Sequence, residues 1–299
     1  MEAEGSVRIF QRSCEMPRRL QYEKYPGDGD SSSFKKAADS DPYEETIEKL
    51  ECVGHVQKRV GSRLRKLKQD KKGKKLEDGK GLAAAGRLTD KKIDSLQNYY
   101  GFAIRQNAGN LDGMVAAVEP VLPHIASTDQ KPNHDKCPEN WCKYKQHPKI
   151  YKHKHGLSDP VIKVIKPIFK DLAREDLLRK CLQGKTQNNN ECLNKLIWDR
   201  CSKEMFAERN IVKEAVNSAV AYYNDGSQSI IRLHQILGIQ SKVYPSLLCS
   251  EQDRSRFLKS GIKCSEKAKK RRKTLRATKK GFLEKVHRAE GDVYTPGGF

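Results

Sequence analysis

The chain has 299 residues, 36% of them hydrophobic, a composition that allows one large domain or two ordinary ones with a modest core. Its formal net charge of +21 favours a polyanionic partner, because each phosphate that Lys or Arg neutralises releases condensed counterions. The sequence contains no signal-peptide pattern and no run of about 18 apolar residues, so we expect a soluble protein without a membrane partner.

The predicted elements begin with a strand that ends at a turn. Residues 20–25 partly alternate and lead into Pro-Gly-Asp-Gly-Asp at 26–30, after which three serines open a helix. Apolar residues recur at helical spacing over 47–67, although a strand could occupy 50–53. Residues 68–86 are rich in Lys and Gly with almost nothing to bury, which predicts a mobile loop and the internal linker.

The remainder is predicted to be helical apart from one loop. A helix should start at the N-cap candidate Thr89, and a weaker one should cover 111–125 with its prolines as kinks. Residues 127–156 are polar and should form an irregular, exposed loop. Further helices are predicted over 158–172, 177–182, 191–206, 210–223 and 227–237. From residue 250 onward the tail is either a solvated helix or disordered until a partner binds.

Most of the positive charge is concentrated in two stretches. Residues 58–80 hold eleven Lys or Arg against three acids, and residues 263–288 hold twelve against two. We expect them to contact the backbone of double-stranded DNA, since few aromatic residues are interleaved to stack on bases; a plain solvated tail is the alternative. The candidate nucleic-acid contact is a cluster of five consecutive basic residues: Lys269, Lys270, Arg271, Arg272 and Lys273. Import receptors bind compact clusters of this kind, so the same residues predict localisation in the nucleus.

A set of metal-ligand residues lies in the polar loop. The nine cysteines are an odd number spread over a long chain, which favours reduced thiols in the cytosol or nucleus. Four loop residues have the spacing His-x2-Cys-x4-Cys-x4-His: His134, Cys137, Cys142 and His147. They could surround one zinc ion, or they could belong to a polar loop whose Trp141 packs on the core.

Two motifs follow one another in a specific order. Tyr-Pro-Gly-Asp-Gly-Asp-Ser at 25–31 is followed by Cys-Val-Gly-His at 52–55, and Gly-Lys-Thr-Gln-Asn-Asn-Asn-Glu-Cys-Leu-Asn occupies 184–194. As an ordered set they resemble the Mutator-like DNA transposases. The likeness extends from about Arg8 to Gly238.

The resemblance implies a ribonuclease-H-like catalytic domain with an Asp, Asp, Glu triad. It assigns Asp28, with Asp30 as the alternate, to the second catalytic aspartate and Glu191 to the glutamate. Cys52 and His55 match the family's Cys-x-x-His signature, which could be half of a zinc site. Asp28 and Glu191 would bind Mg²⁺ or Mn²⁺, because in-line phosphodiester chemistry uses two divalent ions held by carboxylates.

One member of the implied triad has no match. The family's first catalytic aspartate precedes the second, and residues 1–27 contain no aspartate. With two carboxylates we expect Mg²⁺ or Mn²⁺ to bind weakly or not at all, so this chain alone should be inactive. A truncated gene model, a decayed element and a host protein that kept DNA binding all stay open. An ordinary turn at 28–30 and an ordinary helix-start acid at Glu191 also stay open.

These patterns predict a helix-rich α/β fold. A partial ribonuclease-H-like domain should cover 1–245, with a helical insertion at about 86–183, and a basic, partly disordered tail should cover 246–299. The predicted function is transposon-derived DNA binding without complete catalysis. The rival is a non-catalytic chromatin or nucleic-acid adaptor with a zinc-stabilised loop.

Overall fold

The chain divides into two compact units, Met1–Asn189 and Asn190–Phe299. The structure, a computed structural model, describes residues 2–17, 19–27, 32–139, 141–153, 156–240 and 243–290. Asp28 and Asp30 lie outside these described residues.

Helices dominate both units. The elements of the first unit are α1 (Glu2–Glu15), β1 (Lys24–Gly27), α2 (Ser32–Asp39), β2 (Glu48–Glu51), α3 (Val53–Asp70), α4 (Asp90–Gln106), α5 (Leu111–Val118), α6 (Val121–Ala126), α7 (Lys143–Gln146), α8 (Asp159–Leu172) and α9 (Glu175–Arg179). Then follow α10 (Asn188–Trp198), α11 (Arg209–Asp225), α12 (Gln228–Ile236), α13 (Val243–Cys264) and α14 (Glu266–Glu290). With 62% of the chain helical, the helix-rich prediction is confirmed.

A small parallel sheet lies near the start of the first unit. β1 pairs with β2 in the register Lys24↔Glu48 to Gly27↔Glu51. The connection runs through α2, as a parallel pair requires a crossover. Within the described residues these are the two strands of the only sheet, so the ribonuclease-H-like fold stays a prediction.

Aromatic residues pack α1 against this sheet. The ring of Phe10 stacks on Tyr25 with a centroid distance of 6.0 Å, and lies 5.9 Å from the ring of Tyr43. The Tyr43 hydroxyl and the Ser13 Oγ are hydrogen-bonded to each other at 2.6 Å, so each of these two buried hydroxyl groups has a partner.

The main core of the first unit forms around the pairing of α3 and α4. Val53, Val56, Val60 and Leu64 recur at helical spacing and are completely buried. The Thr89 hydroxyl oxygen accepts a hydrogen bond from the Lys92 amide and caps α4, as the sequence predicts. The residues that α4 and α8 contribute to this core include Ile93, Leu96, Tyr100, Ile104, Val161, Ile165, Phe169 and Leu172.

Residues 68–86 differ from the predicted mobile linker. α3 continues to Asp70, and a β-bridge joins Lys75 to Gly81. Leu82 and Leu88 insert into the main core and are at most 1% exposed. Leu82 and Leu88 therefore fix this segment to the main core, although their spacing forms no periodic pattern in the sequence. The boundary between the two compact units lies after Asn189 instead.

The second unit has few fully buried side chains. α11, α12 and α13 contact one another in sequence, and the carboxylate of Asp253 accepts a hydrogen bond from the Ser227 amide at the start of α12. The guanidinium of Arg256 lies 5.1 Å from the ring centroid of Tyr222. The tail, predicted either as a solvated helix or as disordered, is helical from Glu266 to Glu290. In the described parts of the chain, no helix is both long and apolar enough to cross a membrane.

Candidate metal centre and candidate nucleic-acid interface

Two histidines and two cysteines converge beside α6. Among the described residues they form the one group of three or more potential ligand side chains with metal-site spacing. We name it the His2Cys2 cluster, and its members are His124, His134, Cys137 and Cys142. Their four donor atoms lie within 4.8 Å of one another, and all four residues are buried.

Local structure explains why these side chains meet. α6 buries one side against the main core, and His124 lies on that short helix next to Leu122 and Ile125. A tight turn, closed by the Cys137 amide donating to the His134 carbonyl at 2.9 Å, brings those two residues together. Cys142 is the N-cap residue of α7, so the start of that helix supplies the fourth donor.

The nitrogen donors lie 3.1 Å from each other and 3.5 to 3.8 Å from the sulfur donors. The two Nδ1 atoms of His124 and His134 are 3.1 Å apart. The Sγ of Cys137 lies 3.6 Å from each of them. The Sγ of Cys142 lies 3.8 Å from the Nδ1 of His124 and 3.5 Å from that of His134. This arrangement surrounds a single point with two nitrogens and two sulfurs.

Burial sets the protonation of these groups before any cation binds. Desolvation, followed by the charges of His134 and His153, lowers the pKa of His124 to about 4, which keeps its imidazole neutral and able to ligate a metal. Desolvation, then the neighbouring Cys142, raises the pKa of Cys137 to about 12. A bound cation would reverse this tendency, since thiolates rather than thiols are metal ligands.

His134, His153 and Asp129 form a series of hydrogen-bonded side chains. Its Nε2 lies 2.8 Å from the Nε2 of His153, and the Nδ1 of His153 lies 2.7 Å from the Oδ1 of Asp129. The same carboxylate oxygen accepts a hydrogen bond from the His153 backbone amide at 2.7 Å. The His153 side chain is only 5% exposed, so its position is fixed by these contacts.

Aromatic rings enclose the cluster. The ring centroids of Tyr99 and Trp141 lie 4.8 and 4.9 Å from that of His124. Tyr144 stacks on His134 at 4.4 Å with an interplanar angle of 20°. The polar loop is therefore not simply exposed, because its cysteines and Trp141 form a small core of their own.

The ligand set differs from the sequence-based set in one residue. His134, Cys137 and Cys142 come together, but His147 is exposed at the C-terminal end of α7 and His124 takes the fourth place. The His147 backbone amide donates to the Lys143 carbonyl at 3.0 Å and closes the short helix, and the His147 side chain lies in solvent. Sequence reasoning missed His124 because it lies ten residues before the loop motif, in a segment that reads as an apolar helix.

Hydrogen bonds connect the two transposase-like motifs. Cys52 is buried and is the N-cap residue of α3, and its Sγ accepts from the Gln187 amide at 3.4 Å. The Gln187 side chain donates to the Pro26 carbonyl at 3.1 Å, and the Val53 amide donates to the Lys185 carbonyl. The segment before Glu191 therefore lies against the end of the strand that precedes Asp28.

The candidate catalytic and signature residues have different surroundings. Glu191 is exposed in the first turn of α10, in the second unit. In the described parts of the chain no third His, Cys, Asp or Glu joins Cys52 and His55 in a metal-like group. Asp28 and Asp30 lie outside the described residues, so the pairing of Asp28 with Glu191 stays a prediction.

The two basic stretches differ in how their charges are used. In α3, four side chains pair with acids of the first unit: Arg59 with Glu51, Arg63 with Asp171, Arg65 with Asp94 and Lys68 with Asp90. In α14, by contrast, Lys270, Arg271 and Arg272 are exposed, and Lys269 is paired with Glu266 at 2.7 Å. α14 therefore offers more positive charge to a polyanion than α3 does. Lys273 belongs to the same helix.

Comparison with known protein families finds a match that covers residues 1–142. Residues 1–142 match the family described as Mutator-like transposase, a range that contains the whole His2Cys2 cluster and ends before Glu191. No curated protein and no solved structure is significantly similar to the chain. Residues 1–142, slightly less than half of the chain, are therefore similar to a Mutator-like transposase domain.

Proposed function

We propose that this is a transposon-derived DNA-binding protein that acts in the nucleus. The observation that carries the proposal is the Mutator-like transposase domain, since transposition requires contact with double-stranded DNA. The exposed basic residues of α14 support it, because Lys and Arg side chains in solvent can approach phosphates without first breaking internal ion pairs.

Binding is tested with the purified full chain and two fluorescently labelled duplexes of unrelated sequence. We expect similar affinity for both duplexes and a steep loss of affinity with salt, since phosphate contacts carry no sequence information. The fluorescence anisotropy of each duplex, measured as protein is added at several salt concentrations, gives both quantities. No binding at low salt would contradict the proposal, and a strong preference for one duplex would contradict the backbone-contact part of it.

Nuclear localisation follows from the basic cluster in α14. A fluorescent fusion of the full chain should accumulate in the nucleus, and replacing residues 269–273 with glutamine should abolish this accumulation. A control fusion in which Lys72, Lys74 and Lys75 are replaced with glutamine also loses positive charge, but outside the cluster, and should still accumulate in the nucleus. Nuclear accumulation that survives loss of the cluster would contradict this assignment.

We further propose that this polypeptide by itself does not cut or join DNA. The family uses divalent-ion chemistry, for which Mg²⁺ or Mn²⁺ is expected, and two ions need carboxylates that include a bridging ligand. Residues 1–27 contain no aspartate to match the family's first one, which leaves Asp28 or Asp30 and Glu191 as the candidates. Supercoiled plasmid should stay intact with either metal. Nicking by the wild-type chain that Glu191→Gln abolishes would overturn this.

A non-catalytic chromatin or nucleic-acid adaptor is the second candidate function. The specific observation that favours it is the His2Cys2 cluster, because a loop held by a metal ion is a common recognition surface that needs no catalytic carboxylate. The two functions differ in their dependence on the acidic residues. DNA-dependent activity sensitive to Glu191 favours the transposase, whereas binding that depends on residues 127–153 alone favours the adaptor.

A further inference from the structure

The distances within the His2Cys2 cluster match those of a tetrahedral zinc site. With bonds of about 2.3 Å to sulfur and about 2.0 to 2.1 Å to nitrogen, tetrahedral geometry requires about 3.3 Å between nitrogens and about 3.6 Å between nitrogen and sulfur. The corresponding distances are 3.1 Å between the nitrogens and 3.5 to 3.8 Å between nitrogen and sulfur. The nitrogen–nitrogen and nitrogen–sulfur distances are thus those expected of donors around one tetrahedral ion.

The groups behind His134 select the tautomer that such a site needs. The Asp129 carboxylate can only accept, so the Nδ1 of His153 carries a hydrogen and, in the neutral ring, the Nε2 of His153 is an acceptor. The Nε2 of His134 must then donate to it, which leaves the lone pair of the His134 Nδ1 directed at the cluster. Carboxylate groups behind histidine ligands commonly fix ring orientation and tautomer in this way.

The donor set indicates both the metal and its role. Tetrahedral sites with two sulfurs and two nitrogens are typical of zinc, whereas magnesium and calcium require oxygen ligands. Four protein donors leave no open position for a substrate, and all four ligand residues are buried next to the rings of Tyr99, Trp141 and Tyr144. Such a closed site is structural rather than catalytic.

We propose that the His2Cys2 cluster binds one zinc ion, and that Asp129 and His153 are positioning residues that orient His134 as a ligand. The ion connects α6 to the loop that follows it and to the start of α7. This site is independent of the Asp and Glu residues implied by the transposase resemblance, and it does not depend on DNA binding.

Metal content and cobalt substitution test the site in the full chain. We expect about one zinc per chain after purification without added metal, measured by inductively coupled plasma mass spectrometry. Exchange into Co²⁺ should produce the visible bands of tetrahedral cobalt and the near-ultraviolet bands of thiolate ligation. A folded chain that neither retains zinc nor gives these bands with Co²⁺ overturns the proposal.

Matched substitutions identify the ligands. His134→Ala and Cys137→Ser should lose the metal, whereas His147→Ala and Cys192→Ser, at exposed residues of the same types, should keep it. Metal that remains in the first pair, or disappears in His147→Ala, overturns the assigned ligand set. The cobalt spectrum of the wild-type chain decides the proposal if the first pair does not fold.

The positioning residues are tested through affinity and tautomer. His153→Ala should weaken zinc binding by about 10- to 100-fold, measured by competition with a chromophoric chelator, while still binding one zinc at saturation. Asp129→Asn should have a smaller effect because its amide oxygen can still accept from His153, and the neighbouring Lys152→Ala serves as the control. Nitrogen chemical shifts of His134 should change from one tautomer to a mixture in His153→Ala. Unchanged affinity and an unchanged tautomer overturn this part of the proposal.

Discussion

One face of α14 is expected to carry the contact with DNA. Five consecutive residues of an α-helix point in all directions around its axis, so the basic cluster 269–273 cannot lie along one phosphate backbone. Helical spacing instead places positions 269, 273, 276 and 280 on one side, and all four are Lys or Arg. Leu275 and Phe282, both exposed, belong to another side of the helix. We therefore predict that a variant with glutamine at these four positions, the face variant, loses the part of the salt dependence of binding that these four side chains contribute.

The expected magnitude follows from the number of phosphates contacted. Four contacts contribute about 3.6 to the slope of log affinity against log salt concentration, at about 0.9 for each. The Lys269 ammonium is already paired with Glu266 at 2.7 Å, so the loss should lie between about 2.7 and 3.6. Between about 50 and about 200 mM salt, wild-type affinity should then fall about 40- to 150-fold further than that of the face variant.

A second variant removes the same charge from the rest of the helix. Glutamine at positions 267, 271, 272 and 279 also neutralises four basic residues of α14, and glutamine preserves helix propensity in both variants. Fluorescence anisotropy over a salt series gives the slopes, and circular dichroism checks the helix content. Equal slopes for the two variants would refute a single contact face, and a face-variant slope equal to that of the wild type would remove α14 from the interface.

Three further predictions concern stability. Leu96→Ala in the fully buried core should lower the free energy of unfolding by about 2 to 5 kcal/mol in a urea titration, and a loss below about 1 kcal/mol would contradict the packing described. Gly156→Ala should cost about 1 to 3 kcal/mol, because its Cβ would lie 2.3 Å from the Ala126 carbonyl oxygen; an unchanged melting temperature would disprove this. The hydrogen bond from the Ser227 amide holds the pKa of Asp253 below its usual value, so this group stabilises the fold above the unfolded-state pKa and that stability is lost below about pH 4. Asp253→Asn should lose less stability on acidification in a thermal melt series, and identical acid profiles would be the contrary result.

Local signals predict α3, α4 and α8 of the first unit, whereas α1 is not among the predicted elements. The spacing of Val53, Val56, Val60 and Leu64 and the cap at Thr89 act within one or two turns, so a sequence pattern contains all the information they need. The short parallel pair was harder, since β1 and β2 are defined by a partner more than twenty residues away. Both strands contain charged residues and span only four positions each, so the pattern at 47–67 favours a helix while still allowing a strand at 50–53; the observed strand is Glu48–Glu51.

Tertiary position determined the fourth residue of the cluster. Three members lie within nine residues of one another, so their spacing alone suggested a shared site. His124 joins them because the loop after α6 folds back onto that helix, where the rings of Tyr99 and Trp141 pack against His124, and the spacing of the loop ligands contains no information about this contact. A search for donors at helix ends next to the loop would have found it.

Removal of the metal is expected to loosen the loop without unfolding the main core. Cys137, Trp141 and Cys142 form a hydrophobic cluster separate from the core of α3 and α4, with Tyr99 as a neighbour common to both. The loop therefore relies on the ion for much of its stability, whereas the core relies on buried aliphatic side chains. Adding a strong chelator should speed amide hydrogen exchange across 127–153 and leave the exchange of α3 and α4 unchanged, as hydrogen-exchange mass spectrometry can resolve. His134→Ala should show the same pattern without chelator, and His147→Ala should not. Faster exchange throughout the first unit would mean that the loop and the core unfold together, and no change at 127–153 would mean that the ion does not hold the loop.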